Sequence, residues 1–170
     1  RKALYDVTGD PIYNETNFLT FLPKAYDLYV ALQANAQALS IFNSSKGVSI
    51  PSTGSLTSSQ NAEREALFGV VGDPNYTTAS DYIQALLGYD SLLTALQGSA
   101  AYKAAFLNIF GIDVTGVLTP AEEEVLYSII GTPGYVEAEF LAVLLKASDL
   151  FTALKGNASL RQDFNTLFGT

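Results

Sequence analysis

A chain of 170 residues with a net charge of −8 and no Lys/Arg cluster has the size of one compact domain, and its charge argues against nucleic acid or an anionic membrane as partner. It contains no His and no Cys, which excludes a Ser-His-Asp triad, a cysteine nucleophile, and zinc or haem sites of the usual ligand types. No apolar run reaches the ~18 residues of a transmembrane helix, so the chain is not expected to span a membrane.

The first predicted element is a helix ahead of Gly9, carrying Leu4, Tyr5 and Val7. It stops at Gly9-Asp10-Pro11-Ile12-Tyr13. The glycine is expected to cap the helix in the left-handed conformation, Asp and Pro prevent it from continuing, and Tyr13 folds back onto the corner. The next helix carries Phe18, Leu22, Ala25, Tyr29 and Leu32 in steps of three and four, which places them on one face. Pro23 falls inside it, and a kink or a break is expected there. A third helix leads through Phe42 to Gly47, and segment 48–63 follows as a linker whose stretch from Val48 to Leu56 is a candidate exposed apolar patch.

The same text then returns. Gly72-Asp73-Pro74-Asn75-Tyr76 and Gly131-Thr132-Pro133-Gly134-Tyr135 repeat the corner. Aligned on them, Leu4, Leu67 and Leu126 correspond, as do Phe18, Tyr82 and Phe140, and likewise Leu22, Leu86 and Leu144. The register continues through Leu28, Leu92 and Leu150, then Leu32, Leu96 and Leu154, to Phe42, Phe106 and Phe164, and closes at Gly47, Gly111 and Gly169. This pattern is a tandem triplication, with repeats of about 47 residues at 1–47, 64–111 and 123–169. The linkers 48–63 and 112–122 do not align. Each repeat reads as three short helices, A, B and C; sheet signals are nearly absent. The predicted fold is therefore all-α, one domain over 1–170, packed as a single helical bundle or short solenoid. Leu28, Leu92 and Leu150 are expected to be buried equivalents. Thr119-Pro120 followed by Glu122, Glu123 and Glu124 predicts the start of the third helix A, with a capping hydroxyl, Pro in the first turn and carboxylates near the positive helix end. That reading is preferred to a metal site.

Charged residues make up 15% of the chain against a usual figure of about 25%, while 48% are hydrophobic. Apolar area is thus left over to face a partner, a neighbouring subunit or an internal cavity. Phe110 and Phe168 are the candidate assembly surface. The in-register Tyr and Phe residues read most simply as a shared packing scheme. Tyr13, Tyr76 and Tyr135 are the exception, because they lie beside a loop where the phenol could meet solvent or a sugar.

Four of the nine asparagines, Asn14, Asn43, Asn75 and Asn157, stand in Asn-x-Ser/Thr sequons, all expected in loops and exposed, and are candidate N-glycosylation sites. The chain begins at Arg1 and has no Met, which suits a processed product. Together these point to a secreted, extracellular or cell-surface protein. The lack of Cys permits an oxidising compartment without indicating one.

Little remains for catalysis. No P-loop, GxGxxG or EF-hand spacing occurs. Paired carboxylates or a Ser-Lys arrangement stay formally open, yet the nearest approach to a repeated carboxylate is Asp27, Ser91 and Asp149, better read as solvated helix face. Repeated segments supply repeated surfaces, whereas an active site is one asymmetric constellation. The expectation is no enzyme, no cofactor and no metal. Lys2-Ala3-Leu4-Tyr5-Asp6 followed by Pro11-x-Tyr13 resembles, over a dozen residues of one repeat, the insect allergen repeat proteins. That resemblance implies a secreted helical repeat enclosing a lipid-filled cavity. The expected function is a structural or assembly subunit of an extracellular layer, matrix or filament, its partners being itself or other extracellular components. The alternatives are a carrier binding a lipid in a helix-lined cavity, and a monomeric module recognising carbohydrate or protein.

Overall fold

The computed structural model describes residues 2–169, the side chain of Tyr5 excepted. Arg1 and the Tyr5 ring, which aligns with Phe68 and Tyr127, lie outside the described residues. Among the described residues the chain is all-α, with nine helices and no strand. They are α1 (Lys2–Thr8), α2 (Glu15–Ala34), α3 (Ala36–Lys46), α4 (Asn61–Val71), α5 (Ala79–Gln97), α6 (Ala100–Phe110), α7 (Pro120–Ile130), α8 (Glu137–Lys155) and α9 (Ala158–Phe168).

The helix ends follow from local chemistry. Asn35, Ser99 and Asn157 cap α3, α6 and α9, their side-chain oxygens accepting from the backbone N–H of Ala38, Tyr102 and Leu160 at 2.9, 3.3 and 3.1 Å. The same three helices end at Gly47, Gly111 and Gly169, with φ of 64°, 71° and 71°, where a side chain would be strained. Thr119 and Glu122 form a reciprocal capping box at the start of α7, with Pro120 in the first turn.

The corner glycines behave differently from expectation. Gly72 and Gly131 are right-handed, with φ of −81° and −78°, and not left-handed. Their N–H groups still bond back to the carbonyls of Phe68 and Tyr127 at 2.9 Å, so the helix is not yet broken at the glycine. A Cβ there would stand only 3.0 and 3.1 Å from those same carbonyl oxygens, which gives glycine a packing reason instead of a dihedral one. The stop comes from the next residues: Asp73 and Thr132 bond back three residues to Val70 and Ile129, and the proline then withholds its donor.

Pro23 does not break its helix. α2 runs unbroken from Glu15 to Ala34 with Pro23 inside. Proline deprives the Leu19 carbonyl of its donor, but Leu19 and Pro23 are both exposed, so water can take that bond.

The chain divides into two compact units, one ending at Leu87 and the other starting at Gly88; α5 gives its first half to one and its second half to the other. The core of the first unit is built from Leu28 and Leu32 of α2, Ala38 and Phe42 of α3, Ile50, Leu67, Val70 and Val71 of α4, and Ile83 and Leu86 of α5. That of the second is built from Leu92 and Leu96 of α5, Ala105 and Phe106 of α6, Ile112, Val114 and Leu118, Leu126 of α7, and Leu141 and Leu144 of α8. Each buried Leu or Phe contributes about 1.5–3 kcal/mol of transfer free energy.

The connections are part of this core. Ile50 and Val114 stand three residues after Gly47 and Gly111, and both are buried. The Gln33 amide donates to the Pro51 carbonyl at 2.9 Å, and the Gln97 amide to the Val114 carbonyl at 2.8 Å. The stretch from Val48 to Leu56, expected as an exposed patch, instead packs Val48, Ile50 and Leu56 into or against the core of the first unit.

Candidate functional site

At each of the three corners a single turn is built. The N–H groups of Tyr13, Tyr76 and Tyr135 donate to the carbonyls of Asp10, Asp73 and Thr132 at 2.9, 3.0 and 3.0 Å. In the first two corners the aspartate carboxylate also accepts from the N–H of Ile12 or Asn75, at 2.9 and 2.8 Å. The third corner substitutes a different device: the Thr132 hydroxyl donates to the Ser128 carbonyl, and Gly134 turns the chain at φ 80°.

The turn aims each tyrosine at the first aromatic of the following helix. Tyr13 meets Phe18 at 5.9 Å, Tyr76 meets Tyr82 at 6.3 Å and Tyr135 meets Phe140 at 6.0 Å, with interplanar angles of 54°, 49° and 49°. All three tyrosines are half-buried. Burial, and then the Asp27 carboxylate, push the Tyr76 phenol up from its ordinary pKa; burial and then Glu137 do the same for Tyr135. The Tyr135 hydroxyl is buried and has no hydrogen-bond partner among the described residues. Beside it lies a surface hollow of about 310 Å³ lined by Ile129, Pro133, Tyr135, Val136, Phe140 and Val143, among others.

The more extensive feature is two sets of apolar side chains, one in each unit, that the core leaves uncovered. One is in the first unit. Leu4 is 69% exposed, and Leu19 and Leu22 are exposed too, although their aligned counterparts Leu67, Ile83 and Leu86, and again Leu126, Leu141 and Leu144, are buried. The other set is in the second unit. Leu150 is 52% exposed, while its counterparts Leu28 and Leu92 are both at 0%. The expectation that Leu150 is a buried equivalent is therefore corrected: Leu28 shares the first unit's core with Leu67 and Val71 of α4, whereas α8, packed against α6 and α9, leaves Leu150 half uncovered. Leu154 and Phe164 are only half-buried, against complete burial of Leu32, Leu96, Phe42 and Phe106. Helix α9 contains no buried residue, yet it carries Leu160, Phe164, Leu167 and Phe168 at helical spacing.

The candidate assembly residues divide between these settings. Phe168 is exposed and stacks on Phe164 at 4.5 Å, part of the open α9 stripe. Phe110 is exposed too, though less so, its ring 4.6 Å from Phe106 and 6.5 Å from Phe140. Leu4, Leu19, Leu22, Leu150 and Leu154 had not been singled out for exposure. The sequence alone gives no signal for it, because each stands in register with leucines or isoleucines that are buried.

The sequons are not alike. Asn14 and Asn157 are exposed helix caps that use Oδ1, the atom a glycan does not need, and Asn75 is exposed in the second corner. Asn43 lies inside α3 and not in a loop; it is half-buried, and its amide both donates to the Ile50 carbonyl at 3.0 Å and accepts from the Ile50 N–H at 2.9 Å. The Ser91 hydroxyl donates to Glu137 at 2.6 Å, so the Asp27, Ser91 and Asp149 positions do not share one environment. Among the described residues no helix is long and apolar enough to cross a membrane. Comparison with protein family models, with characterised proteins and with solved structures finds no match to the chain.

Proposed function

We propose that this chain is a secreted or cell-surface, non-enzymatic protein of three tandem helical repeats that serves as an assembly subunit of an extracellular layer, matrix or filament. The triple organisation is supported by helix order, by the corner turn and its Tyr–aromatic pair, and by the αL glycine that ends α3, α6 and α9. The observation that carries the assembly reading is that Leu4, Leu19, Leu22 and Leu150 are exposed at positions whose aligned counterparts are buried. The exposed Leu160, Leu167 and Phe168 gathered on the one short helix α9 also favour an interaction surface. Exposed sequons at Asn14, Asn75 and Asn157 and the low charge support an extracellular setting. Sedimentation equilibrium over a concentration series tests the reading: association is expected, and Phe168→Glu is expected to weaken it while circular dichroism stays helical. A chain that remains monomeric at millimolar concentration overturns it.

A second reading rests on the hollow beside Tyr135, which suits a small hydrophobic ligand and would make the chain a carrier. Native mass spectrometry of the protein from its natural source separates the two, since a carrier arrives as a monomer with lipid bound.

A further inference from the structure

We infer that the Asp10–Pro11 and Asp73–Pro74 bonds are self-cleavage sites: in mild acid each aspartate carboxylate attacks its own carbonyl carbon and expels the proline nitrogen. The first two corners then cut themselves, while the third, at Thr132–Pro133, does not. Cleavage of this kind is independent of whether the chain assembles.

Three features meet at these two aspartates. The Asp10 carboxylate accepts from the Ile12 N–H at 2.9 Å, and the Asp73 carboxylate from the Asn75 N–H at 2.8 Å. A donor two residues further on is reached only when the side chain folds forward over the Asp–Pro peptide, which brings the carboxylate beside the carbonyl carbon. The carbonyl oxygens of the same aspartates accept from the N–H groups of Tyr13 and Tyr76, at 2.9 and 3.0 Å. A donor at that distance stabilises the negative charge that the oxygen takes on once its carbon is attacked. The leaving group is a proline nitrogen, which carries two carbon substituents besides the carbonyl and accepts a proton more readily than an ordinary amide nitrogen. Asp10, Pro11, Asp73 and Pro74 are all exposed, so acid and water reach the bond.

The chemistry needs water as its one co-reactant. One carboxylate oxygen bonds to the carbonyl carbon and closes a five-membered ring, the carbon–nitrogen bond breaks, and the proline nitrogen leaves with a proton taken from the acid. A cyclic anhydride is left on residue 10 or 73. Water opens it and returns the proton, so the new terminal aspartate carries two carboxyl groups and the new amino terminus is Pro11 or Pro74. Because the nucleophile is held against its target by the chain itself, no encounter step is needed.

The protein also carries its own controls. At the third corner the Tyr135 N–H donates to the Thr132 carbonyl at 3.0 Å and Pro133 follows, but threonine has no carboxylate, and its hydroxyl is turned back to the Ser128 carbonyl at 3.1 Å. Asp113 accepts from the Thr115 N–H at 2.9 Å, much as Asp10 and Asp73 accept from theirs, but Val114 follows it with an ordinary amide nitrogen. Nucleophile and leaving group come together at Asp10 and Asp73 and nowhere else in the sequence.

Intact-mass spectrometry of the chain held at about pH 4 tests this, with circular dichroism confirming that it stays helical and with the same chain in about 8 M urea as the unfolded reference. If the helical signal is lost at that pH, the comparison is made at the lowest pH where it persists. Cuts after Asp10 and Asp73 are expected at least about tenfold faster in the folded chain than in urea, with the Asp113–Val114 and Thr132–Pro133 bonds intact. Asp10→Ser and Asp73→Ser should each abolish one cut and spare the other, and Thr132→Asp should create a third. Equal rates in folded and unfolded chain would reduce both bonds to ordinary acid lability and overturn the inference. So would a folded chain that stays whole, or a folded Thr132→Asp variant that gains no cut.

Discussion

Leu28 and Leu150 occupy the same register position in α2 and α8, yet Leu28 is completely buried and Leu150 is 52% exposed. What differs is not the residue but what stands opposite it. Leu28→Ala and Leu92→Ala should each cost about 2–5 kcal/mol, the range for emptying a packed site. Leu150→Ala should stay within about 0.5 kcal/mol in dilute solution, as for a surface change. Urea unfolding of the three variants at low micromolar concentration checks this, and equal costs at all three positions would contradict the burial described here.

Glycines divide by conformation. Gly47 and Gly111 are left-handed, and replacing either by Ala should cost about 1–2 kcal/mol although a Cβ at either meets nothing within 4 Å. Gly69 lies inside α4 in the ordinary helical conformation, again with no atom within 4 Å of a Cβ, so Gly69→Ala should stabilise by about 0.5–1 kcal/mol. The opposite signs are readable in thermal melts of the single variants.

Tyr89 makes stability fall at high pH. Its ring is buried and stacks on Tyr127 at 4.7 Å, and its hydroxyl makes a long, 3.5 Å hydrogen bond to Glu123. Burial first, then the Glu123 and Asp90 carboxylates, push the phenol up to about 12. The folded pKa lies above the ordinary value near 10, so this contribution is present below that value and is lost as pH rises through about 12. Tyr89→Phe should therefore lose less stability than the parent chain between pH 9 and 11, as measured by urea midpoints at each pH. Identical pH slopes would remove Tyr89 from the account.

Glycan occupancy should follow burial. In protein from its natural source, peptide mapping by mass spectrometry is expected to find sugar at two or more of Asn14, Asn75 and Asn157, and none at Asn43. The Asn43 amide is committed to both backbone groups of Ile50, and Asn43→Ala should cost about 1–3 kcal/mol by leaving them unpaired. Full occupancy at Asn43 with native stability would show that the pair is dispensable.

Much of this molecule was legible before any coordinates. The steps of three and four around Leu28 and Leu92 are a helix signal because side chains three and four apart share a face. Thr119-Pro120 with Glu122 reads as a helix start because hydroxyl and carboxylate satisfy N–H groups that the helix itself cannot. The break between successive helices at Asp73-Pro74 is written in the proline. These are all local requirements, met within a few residues.

The tertiary structure decided whatever depends on the opposite wall. It placed Pro23 inside an unbroken helix, because the carbonyl it strands lies where water can reach it. It buried Ile50 and Val114, each three residues past a left-handed glycine and in linkers expected to lie outside the packing scheme, because close packing of the core reaches into the connections. It turned Asn43 from a loop sequon into a clasp on Ile50. Above all it separated Leu28 from Leu150 and Leu67 from Leu4, pairs that the sequence treats as equals. Periodicity tells which face of a helix is apolar, but burial is a relation between two surfaces. Only the packed chain shows which of those faces has found its second surface.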